Sequence, residues 1–318
     1  MKHFYKLNTL VQIMNEITIS AIITTCNRPV SILERAVRSA VMQKRVPDEL
    51  IIIDDSSETG THSEEVTRML SKYAGKTDLH YLKNDGCKGA CYSRNRGIET
   101  AVGDYIAFLD DDDEWTEDKL MLQEKKALEY KDAVLITGYI RVITEGSKRT
   151  RIYNRGWEYE GSVLPYILGN NFVGGCSTPL IKRSAVIKCG CFDESFTSSQ
   201  DYDLWIRLAE AGEFAFVKEI LVDYHMHPGN ITEDFDRRIT GWKKIYGKYR
   251  KAFGRYPEAK GKFFELLAVN AWENGRYYLS VGMLGRSISA GGLKVDLIKT
   301  LLKLGYITLK NSLRRMIK

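Results

Sequence analysis

The 318-residue sequence lacks the features that mark membrane-spanning, secreted and fibrous proteins. No stretch of 18 consecutive apolar residues is present, so no segment is predicted to form an unaided transmembrane helix. Residues 1–16 lack the unbroken apolar run and small-residue cleavage site of a signal peptide, and we interpret them as an N-terminal leader. Only six prolines occur, and no Pro/Ser-rich linker divides the chain. Together these absences predict a cytoplasmic protein.

Cysteine is also scarce, and its spacing predicts neither a disulfide framework nor a zinc site. The six cysteines form C-x₃-C and C-x-C pairs, without the second C-x₂-C pair that would complete a zinc tetrad. We therefore interpret them as reduced thiols; they are Cys26, Cys87, Cys91, Cys176, Cys189 and Cys191.

The composition that remains is that of a globular protein. Hydrophobic residues make up 44% and charged residues 28%, which excludes disorder as the main interpretation. The net charge of +6 is unevenly distributed. Residues 226–318 contain 19 Lys and Arg against 7 Asp and Glu, whereas residues 1–225 contain 28 against 34. An acidic body followed by a basic tail predicts different roles for the two parts.

Three apolar runs alternate with helical periods in the first third of the chain. The runs cover residues 17–27, 49–53 and 105–109, and this alternation predicts an α/β fold with a parallel sheet covered on both faces. Ligands of such sheets gather at the carboxyl ends of the strands. Residues 24–27, 54–55 and 110–113 occupy those ends.

The third apolar run leads directly into four consecutive aspartates, Asp110 to Asp113. Adjacent carboxylates repel one another, and capping the helix that follows would need only one of them. Mg²⁺ and Mn²⁺ take carboxylate oxygens together with substrate phosphates, so the cluster predicts a divalent cation site. Asp54 and Asp55 could bond a base or a ribose, or simply cap a turn. Arg94 could bind a carbonyl edge or a phosphate, or lie solvated.

Other nucleotide-binding enzymes are disfavoured by the loop after the first strand. Its sequence, TTCNRPVS, contains no glycine, whereas nicotinamide dehydrogenases carry G-x-G-x-x-G there and nucleotidyltransferases a Gly-rich basic loop.

Four stretches in series carry a family resemblance. They are SAIITTCNRP, ELIIIDDSS, GACYSRNRGIETAVGDYIAFLDDDDEW and GCFDESFTSSQDYDLWIRLAEAG. Over residues 17–227 the chain resembles the family 2 glycosyltransferases, which are inverting, nucleotide-sugar-dependent enzymes. The resemblance implies a GT-A fold, a Rossmann-like mixed or parallel sheet flanked by helices. It also implies a nucleotide-binding half over 17–113 and an acceptor-binding half over 114–227, followed by a basic helical region over 228–318.

The same resemblance implies roles for eight residues. Asp201 aligns with the catalytic base, although its position before a helix would equally let it act as a cap. Asp110 and Asp112 are implied to hold Mn²⁺ or Mg²⁺. The nucleotide-sugar pocket is implied to contain Thr24, Cys26, Asp55, Arg94 and Asp111.

Departures from the family pattern narrow the predicted function. Cys26 stands where an aromatic ring commonly stacks on the base, and Gln200 stands where Glu often precedes the base. The Q-x-x-R-W motif of processive synthases is absent, which predicts transfer of a single sugar. The donor is predicted to be a nucleoside-diphosphate sugar, with UDP favoured. The acceptor is a hydroxyl of a carbohydrate or lipid-linked saccharide in bacterial surface polysaccharide, lipopolysaccharide or other glycoconjugate assembly.

Two further interpretations stay open. A non-catalytic nucleotide-sugar-binding protein of the same fold is the alternative function, and the carboxylate at Asp201 argues against it. No nucleic-acid partner is expected. Residues 293–318 form an amphipathic helical pattern whose apolar face is flanked by lysines and arginine. That pattern predicts either peripheral contact with an anionic membrane, on its inner face, or packing on the catalytic domain.

Overall fold

The computed structural model describes residues 17–57, 61–144, 146, 150–226, 234–292, 298, 300 and 304–305. The chain forms two compact units. The sheet unit comprises residues 1–163, 173–196 and 200–228, and the helical unit comprises 164–172, 197–199 and 229–318. The predicted leader over 1–16 lies outside the described residues, as does most of the predicted helix over 293–318.

The first half of the sheet unit is a parallel sheet. Its strands are β1 (Ile19–Thr25), β2 (Glu49–Asp54), β3 (Asp78–Lys83) and β4 (Tyr105–Asp110), in the order β3-β2-β1-β4. The helices between and after them are α1 (Val30–Val41), α2 (Thr61–Ser71) and α3 (Ala90–Thr100). The isoleucine-rich centres of β1 and β2 are fully buried because helices cover both faces.

A close helix–strand approach positions α3 against β1. A Cβ at Gly97 would lie 2.5 Å from the Cγ2 atom of Ile22, so glycine is required for this packing distance. The N-terminal turn of α3 carries Arg94, which is thereby held over the end of the sheet.

The second half of the sheet unit is mixed. Its strands are β5 (Glu114–Trp115), β6 (Ala133–Thr144), β7 (Thr150–Ile152), β8 (Leu180–Lys182) and β9 (Glu213–Met226). β8 pairs antiparallel with both β4 and β6, whereas β6 and β9 are parallel with register shifts near Gly138 and Tyr139. Its helices are α4 (Lys119–Glu129), α6 (Arg183–Lys188) and α7 (Gln200–Ala211). The predicted mixed or parallel sheet flanked by helices is therefore confirmed, as a mixed sheet.

The carboxyl ends of β1, β2 and β4 meet at one edge of the sheet. Thr25 pairs with Asp54, and Thr24 pairs with Asp110. The backbone N–H of Asp55 donates to the carbonyl of Thr25 at 2.8 Å, which extends the alignment by one residue. Three polar segments that are distant in sequence are thus brought side by side.

The helical unit contains α5 (Leu164–Gly169), α8 (Phe235–Lys248), α9 (Arg250–Arg255), α10 (Pro257–Glu273) and α11 (Tyr277–Gly291). Its centre is an aromatic cluster in which Tyr246, Phe253, Phe263 and Phe264 have ring centroids 5.0–6.2 Å apart. α10 and α11 approach closely, since a Cβ at Gly261 would lie 3.2 Å from the Cα of Gly291. Among the described residues, no helix is both long and apolar enough to cross a membrane.

Candidate active site

The four aspartates form a tight turn directly after β4. The backbone N–H of Asp113 donates to the carbonyl of Asp110 at 3.1 Å, which closes the turn. Two arginines neutralise it. Arg28 donates from Nε to Asp111 at 2.9 Å and from Nη2 to Asp112 at 3.1 Å, while Arg94 donates to Asp110 at 2.7 Å. The guanidinium pairing explains how a run of like charges is tolerated in one turn.

Asp111 is the most enclosed of the three predicted ligand-binding aspartates. Thr25 donates from its hydroxyl to one carboxylate oxygen at 2.7 Å, and Arg28 contacts the other. Burial raises the pKa of Asp111 to about 6, although Arg28 and the Thr25 hydroxyl both act to lower it. Its two oxygens therefore already have partners within the protein.

Hydrogen bonds between Ser177 and two of the aspartates stabilise the turn on its buried side. The Ser177 hydroxyl accepts from the backbone N–H of Asp110 at 3.0 Å and donates to the Asp113 carboxylate at 2.6 Å. The Trp115 indole N–H donates to the Ser177 carbonyl at 2.9 Å, and this fixes the loop that carries the serine. Asp113 is buried, and burial raises its pKa well above the usual value. Asp113 therefore has a structural role inside the protein and does not lie on the exposed face of the turn.

Arg94 is a buried cation with an incomplete set of partners. Its guanidinium lies 5.5 Å from the ring centroid of Phe192, and one nitrogen pairs with Asp110. The Nη1 atom is buried and has no hydrogen-bond partner among the described residues. An unsatisfied guanidinium nitrogen in a buried site is costly unless a ligand supplies an acceptor. The predicted contact of Arg94 with the donor would provide that acceptor.

Asp55 holds the loop over residues 84–89. One carboxylate oxygen accepts from the Asn84 side chain at 2.6 Å and the Lys88 backbone at 2.9 Å, and the other accepts from the Gly89 backbone at 2.7 Å. Three donors from one loop fix its shape at the sheet edge. The carboxylate therefore shapes the predicted nucleotide pocket independently of any ligand.

Thr24 and Cys26 lie on either side of Thr25. Thr24 is half-buried within β1, and Cys26 is exposed just beyond it. The Cys26 thiol donates to the Asp55 carbonyl at 3.4 Å, and the partial burial of its sulfur together with the neighbouring Cys87 raises its pKa to about 11. A protonated thiol offers an apolar, polarisable surface at this position. All six cysteines are free thiols, as the spacing predicted.

Asp201 lies in the first turn of α7 and is half-buried. Its Oδ1 atom accepts from the backbone N–H of Tyr202 at 2.7 Å, so it also serves the helix terminus. Burial raises the pKa of Asp201 to about 6, and the charges of Arg94 and Asp110 act on it in opposite directions. The carboxylate therefore lies within electrostatic reach of the aspartate turn. The sequence pattern predicts Asp201 before the helix; the residue lies inside the first turn instead, where its bond to the Tyr202 N–H satisfies one donor of the helix terminus and is compatible with the role of base that the resemblance implies.

Sequence patterns missed several residues of this site. The family resemblance implies no role for Arg28, which lies inside the first matching stretch, or for Asp113, the fourth aspartate. Ser177 lies in a segment too irregular to interpret, so no sequence signal identified it. Arg28 alone has a usable signal, because an arginine three residues beyond the end of β1 can reach the acidic end of a neighbouring strand.

The carboxylates of the aspartate turn are suited to a divalent cation that is also bound by a substrate. They are less suited to a cation bound by protein side chains alone. No group of three or more His, Cys, Asp or Glu side chains converges on a metal position within the described residues. Asp110 and Asp112 present oxygens at a partly exposed turn, with side chains 31% and 14% accessible. Mg²⁺ is commonly bound by one or two carboxylates plus substrate phosphates. The residues fit that mode.

The parallel half-sheet with an acidic turn at its carboxyl edge, extended by a mixed half-sheet, defines an α/β protein of GT-A type. The chain belongs to glycosyl transferase family 2, whose sequence profile matches residues 20–190. The family resemblance and the fold predicted from the sequence are both confirmed.

Relatives and solved structures agree with this assignment. Over 183 residues the chain is 33% identical to the amylovoran biosynthesis glycosyltransferase AmsB of Erwinia amylovora, an alignment covering 56% of this chain and 60% of AmsB. It is 29% identical over 203 residues to the putative teichuronic acid biosynthesis glycosyltransferase TuaG of Bacillus subtilis, covering 64% and 77%.

The structure of S. aureus TarS residues 1–349 with UDP-GlcNAc shares the fold, with a TM-score of 0.56 at 14% identity. That match covers 91% of this chain and 79% of the TarS chain.

Proposed function

We propose that this glycosyltransferase transfers one sugar, with inversion, from a UDP-sugar to an acceptor hydroxyl. The acceptor is a carbohydrate or a lipid-linked saccharide in the assembly of a bacterial surface polysaccharide, lipopolysaccharide or related glycoconjugate. The observation that carries the proposal is the position of Asp201, a carboxylate with pKa about 6, within electrostatic reach of the aspartate turn. The names of AmsB and TuaG support the polysaccharide pathway, and the UDP complexes of TarS support the donor class.

The donor nucleotide is proposed to lie along the edge formed by β1, β2 and β4. Asp55 shapes the loop over 84–89, and Cys26 faces the same edge. Arg94 supplies a buried nitrogen without a partner among the described residues, suited to a carbonyl or phosphate oxygen of the donor. Thr24 and Asp111 complete the proposed pocket.

Asp110 and Asp112 are proposed to hold Mn²⁺ or Mg²⁺ together with the donor diphosphate. When bound, the cation supplies neutralisation of the charge that develops on the leaving diphosphate. Arg28 and Arg94 already orient these carboxylates, so the turn is ordered before the donor arrives.

Asp201 is proposed to be the general base. As the acceptor oxygen forms its bond to the anomeric carbon, the bond from that carbon to the diphosphate breaks on the opposite face, which inverts the configuration. Asp201 takes the proton from the acceptor hydroxyl. With a pKa of about 6 it is mostly ionised at neutral pH yet remains a stronger base than an ordinary aspartate.

Nucleotide release from a donor panel tests the function. The full chain is incubated with UDP-, GDP- and dTDP-sugars, with Mn²⁺ or EDTA, and with and without saccharide acceptors. We expect acceptor-stimulated release of UDP, a product of inverted anomeric configuration by NMR, and loss of release in EDTA. Donor binding without release under any condition would favour the non-catalytic alternative. Retained configuration would contradict the role of Asp201.

Peripheral contact with an anionic membrane through residues 293–318 stays a prediction, because this segment lies almost entirely outside the described residues.

A further inference from the structure

A groove in the helical unit contains none of the residues assigned to the transferase function. It has a volume of about 360 Å³ and is formed by α8, α10 and α11. Its walls are two aromatic rings, two cations and the backbone of two glycines, namely Tyr246, Phe264, Lys260, Arg286, Gly282 and Gly285.

The two cations of the groove are available for an anion. Within the part of the chain that the structure describes, neither Lys260 nor Arg286 has an ion-pair partner, and no acidic residue lines the groove. The guanidinium of Arg286 lies 5.6 Å from the ring centroid of Phe264, which holds it against the aromatic wall. Residues 234–292 contain 12 Lys and Arg against 5 Asp and Glu, so the local field also attracts anions.

Gly282 and Gly285 leave the floor of the groove open. Both lie inside α11, where glycine is less favourable than alanine. A Cβ at either position would meet nothing within 4 Å, so packing among the described residues does not require glycine there. The absence of side chains lets an incoming group approach the helix backbone between the two cations.

An apolar ridge follows the same helix beside the groove. Tyr278 is 98% exposed, Val281 61% and Ile288 43%. At about 100° per residue, Tyr278 lies within the glycine face, with Val281 on one flank of it and Arg286 on the other. α11 contains no acidic residue. Helices at a bilayer interface commonly combine exposed tyrosine and aliphatic side chains with cations, and this face has both, its cations being without ion-pair partners among the described residues.

We propose that the α10–α11 face of the helical unit binds a bilayer that contains anionic phospholipid. The headgroup phosphate enters the groove between Lys260 and Arg286, and the Tyr278–Val281–Ile288 ridge contacts the acyl boundary. The proposal does not depend on the transferase function.

Vesicle sedimentation of the full chain tests this surface directly. The probes are vesicles of phosphatidylcholine alone, the same vesicles with phosphatidylglycerol, and excess inorganic phosphate as a competitor. The variant Lys260→Gln/Arg286→Gln is compared with Lys251→Gln/Arg255→Gln, which removes the same charge from exposed positions on α9. Gly285→Glu, which puts a carboxylate into the groove and favours the helix, gives a second variant that keeps the fold.

We expect the wild type to bind only the anionic vesicles. Each cation near an anionic surface contributes about 5-fold to partitioning, so the groove variant should bind roughly 30-fold more weakly. The matched control should lose less than about 3-fold, because its charges are not held at the surface of contact. Gly285→Glu should lose binding at an unchanged or higher melting temperature. Nucleotide release without vesicles should be the same in all three variants.

Three results would overturn the proposal. Equal losses in the groove variant and its control would mean that binding reflects net charge alone. Failure of the wild type to bind anionic vesicles would exclude the surface altogether. Binding of inorganic phosphate at the groove without vesicle binding would mean a free-phosphate site. None of these results depends on whether sugar transfer occurs.

Discussion

The sheet unit and the helical unit differ in where their charged side chains lie and in how these side chains are paired. In the sheet unit, charged side chains are drawn inside and paired, as Arg28 is with Asp111 and Arg207 with Asp203. In the helical unit, cations outnumber acids by 12 to 5 over residues 234–292, and two of them line an open groove. The sheet unit thus holds part of its charge in buried ion pairs, whereas Lys260 and Arg286 of the helical unit line an open groove without an ion-pair partner among the described residues.

Two carboxylates of the sheet unit, Asp111 and Asp201, carry a pH signature that arises from burial. Burial raises the pKa of Asp111 and of Asp201 from 3.8 to about 6. Because the folded protein holds these protons more tightly than the unfolded chain, the stabilisation is complete below pH 3.8 and is lost as the pH rises through 6. At neutral pH both groups lower the stability of the fold. Such destabilised carboxylates are expected where a base or a ligand contact is needed.

The largest effect should follow from Asp112→Asn. A neutral amide replaces the proposed carboxylate ligand, so turnover and Mn²⁺-dependent donor binding should both disappear. Nucleotide release and titration calorimetry with a UDP-sugar measure the two losses. Glu117→Gln, an exposed acid five residues away, is the matched control and should keep full activity. Activity that persists in EDTA, or an unaffected Asp112→Asn, would contradict the metal assignment.

Asp201→Asn should lower kcat by about 10²–10⁴-fold, the usual contribution of a general base. Donor affinity should stay within a few-fold, because the amide oxygen can still accept from Tyr202. The kcat of the wild type should fall as the pH drops below about 6, where Asp201 becomes protonated. At neutral pH the variant should also melt at a higher temperature. If more than about a tenth of the activity survived, the assignment of the base would be wrong.

Arg207→Gln should destabilise the sheet unit without touching the proposed site. Asp203 is fully buried, and Arg207 donates to it from two nitrogens at 2.9 and 2.8 Å. Removing the cation from a buried pair costs about 3–5 kcal/mol. Urea unfolding measures this loss, and the double variant Arg207→Gln/Asp203→Asn should recover most of it. If the free energy of unfolding fell by less than about 1 kcal/mol, the buried Arg207–Asp203 pair would not be important for the stability of the sheet unit.

Ser177→Ala should produce a smaller effect on activity. It leaves the Asp110 N–H without its acceptor and removes a donor from Asp113, losses of about 1–2 kcal/mol in all. We expect roughly tenfold weaker Mn²⁺-dependent donor binding, with the pH profile set by Asp201 unchanged. Ser71→Ala, which removes only a local helix bond, is the control. A shifted pH profile at normal Mn²⁺ affinity would mean that Ser177 does not act through the aspartate turn.

The regular half of the sheet could be predicted because its signals are local. The apolar runs that became β1, β2 and β4 are long, and their polar ends define where each strand stops. Parallel pairing then forces those ends to one edge, so the amino-acid sequence alone was enough to predict that Asp110 and Asp55 lie near each other.

The remainder of the site depends on pairings that local patterns do not encode. β8 is three residues long, and its antiparallel insertion beside β4 brings Ser177 under the aspartate turn. No periodicity marks such a short strand, and a single serine carries no signal of its own. The grouping of residues 164–172 and 197–199 with the helical unit is likewise a consequence of long-range packing.

The smallest effect is expected for Arg255→Gln in the helical unit. Arg255 is exposed on α9, and it has no ion-pair partner among the described residues. Surface substitutions away from special features usually change stability by less than about 0.5 kcal/mol. The variant also removes one positive charge from a unit with excess positive charge. At low salt we therefore expect at most a slight gain in the free energy of unfolding. This gain should disappear in 0.1 M salt, where the screening length is about 10 Å. Urea unfolding beside Arg207→Gln measures both. A loss above about 1 kcal/mol, independent of salt, would mean that the cations of the helical unit are structural too, and the contrast between the two units would fail.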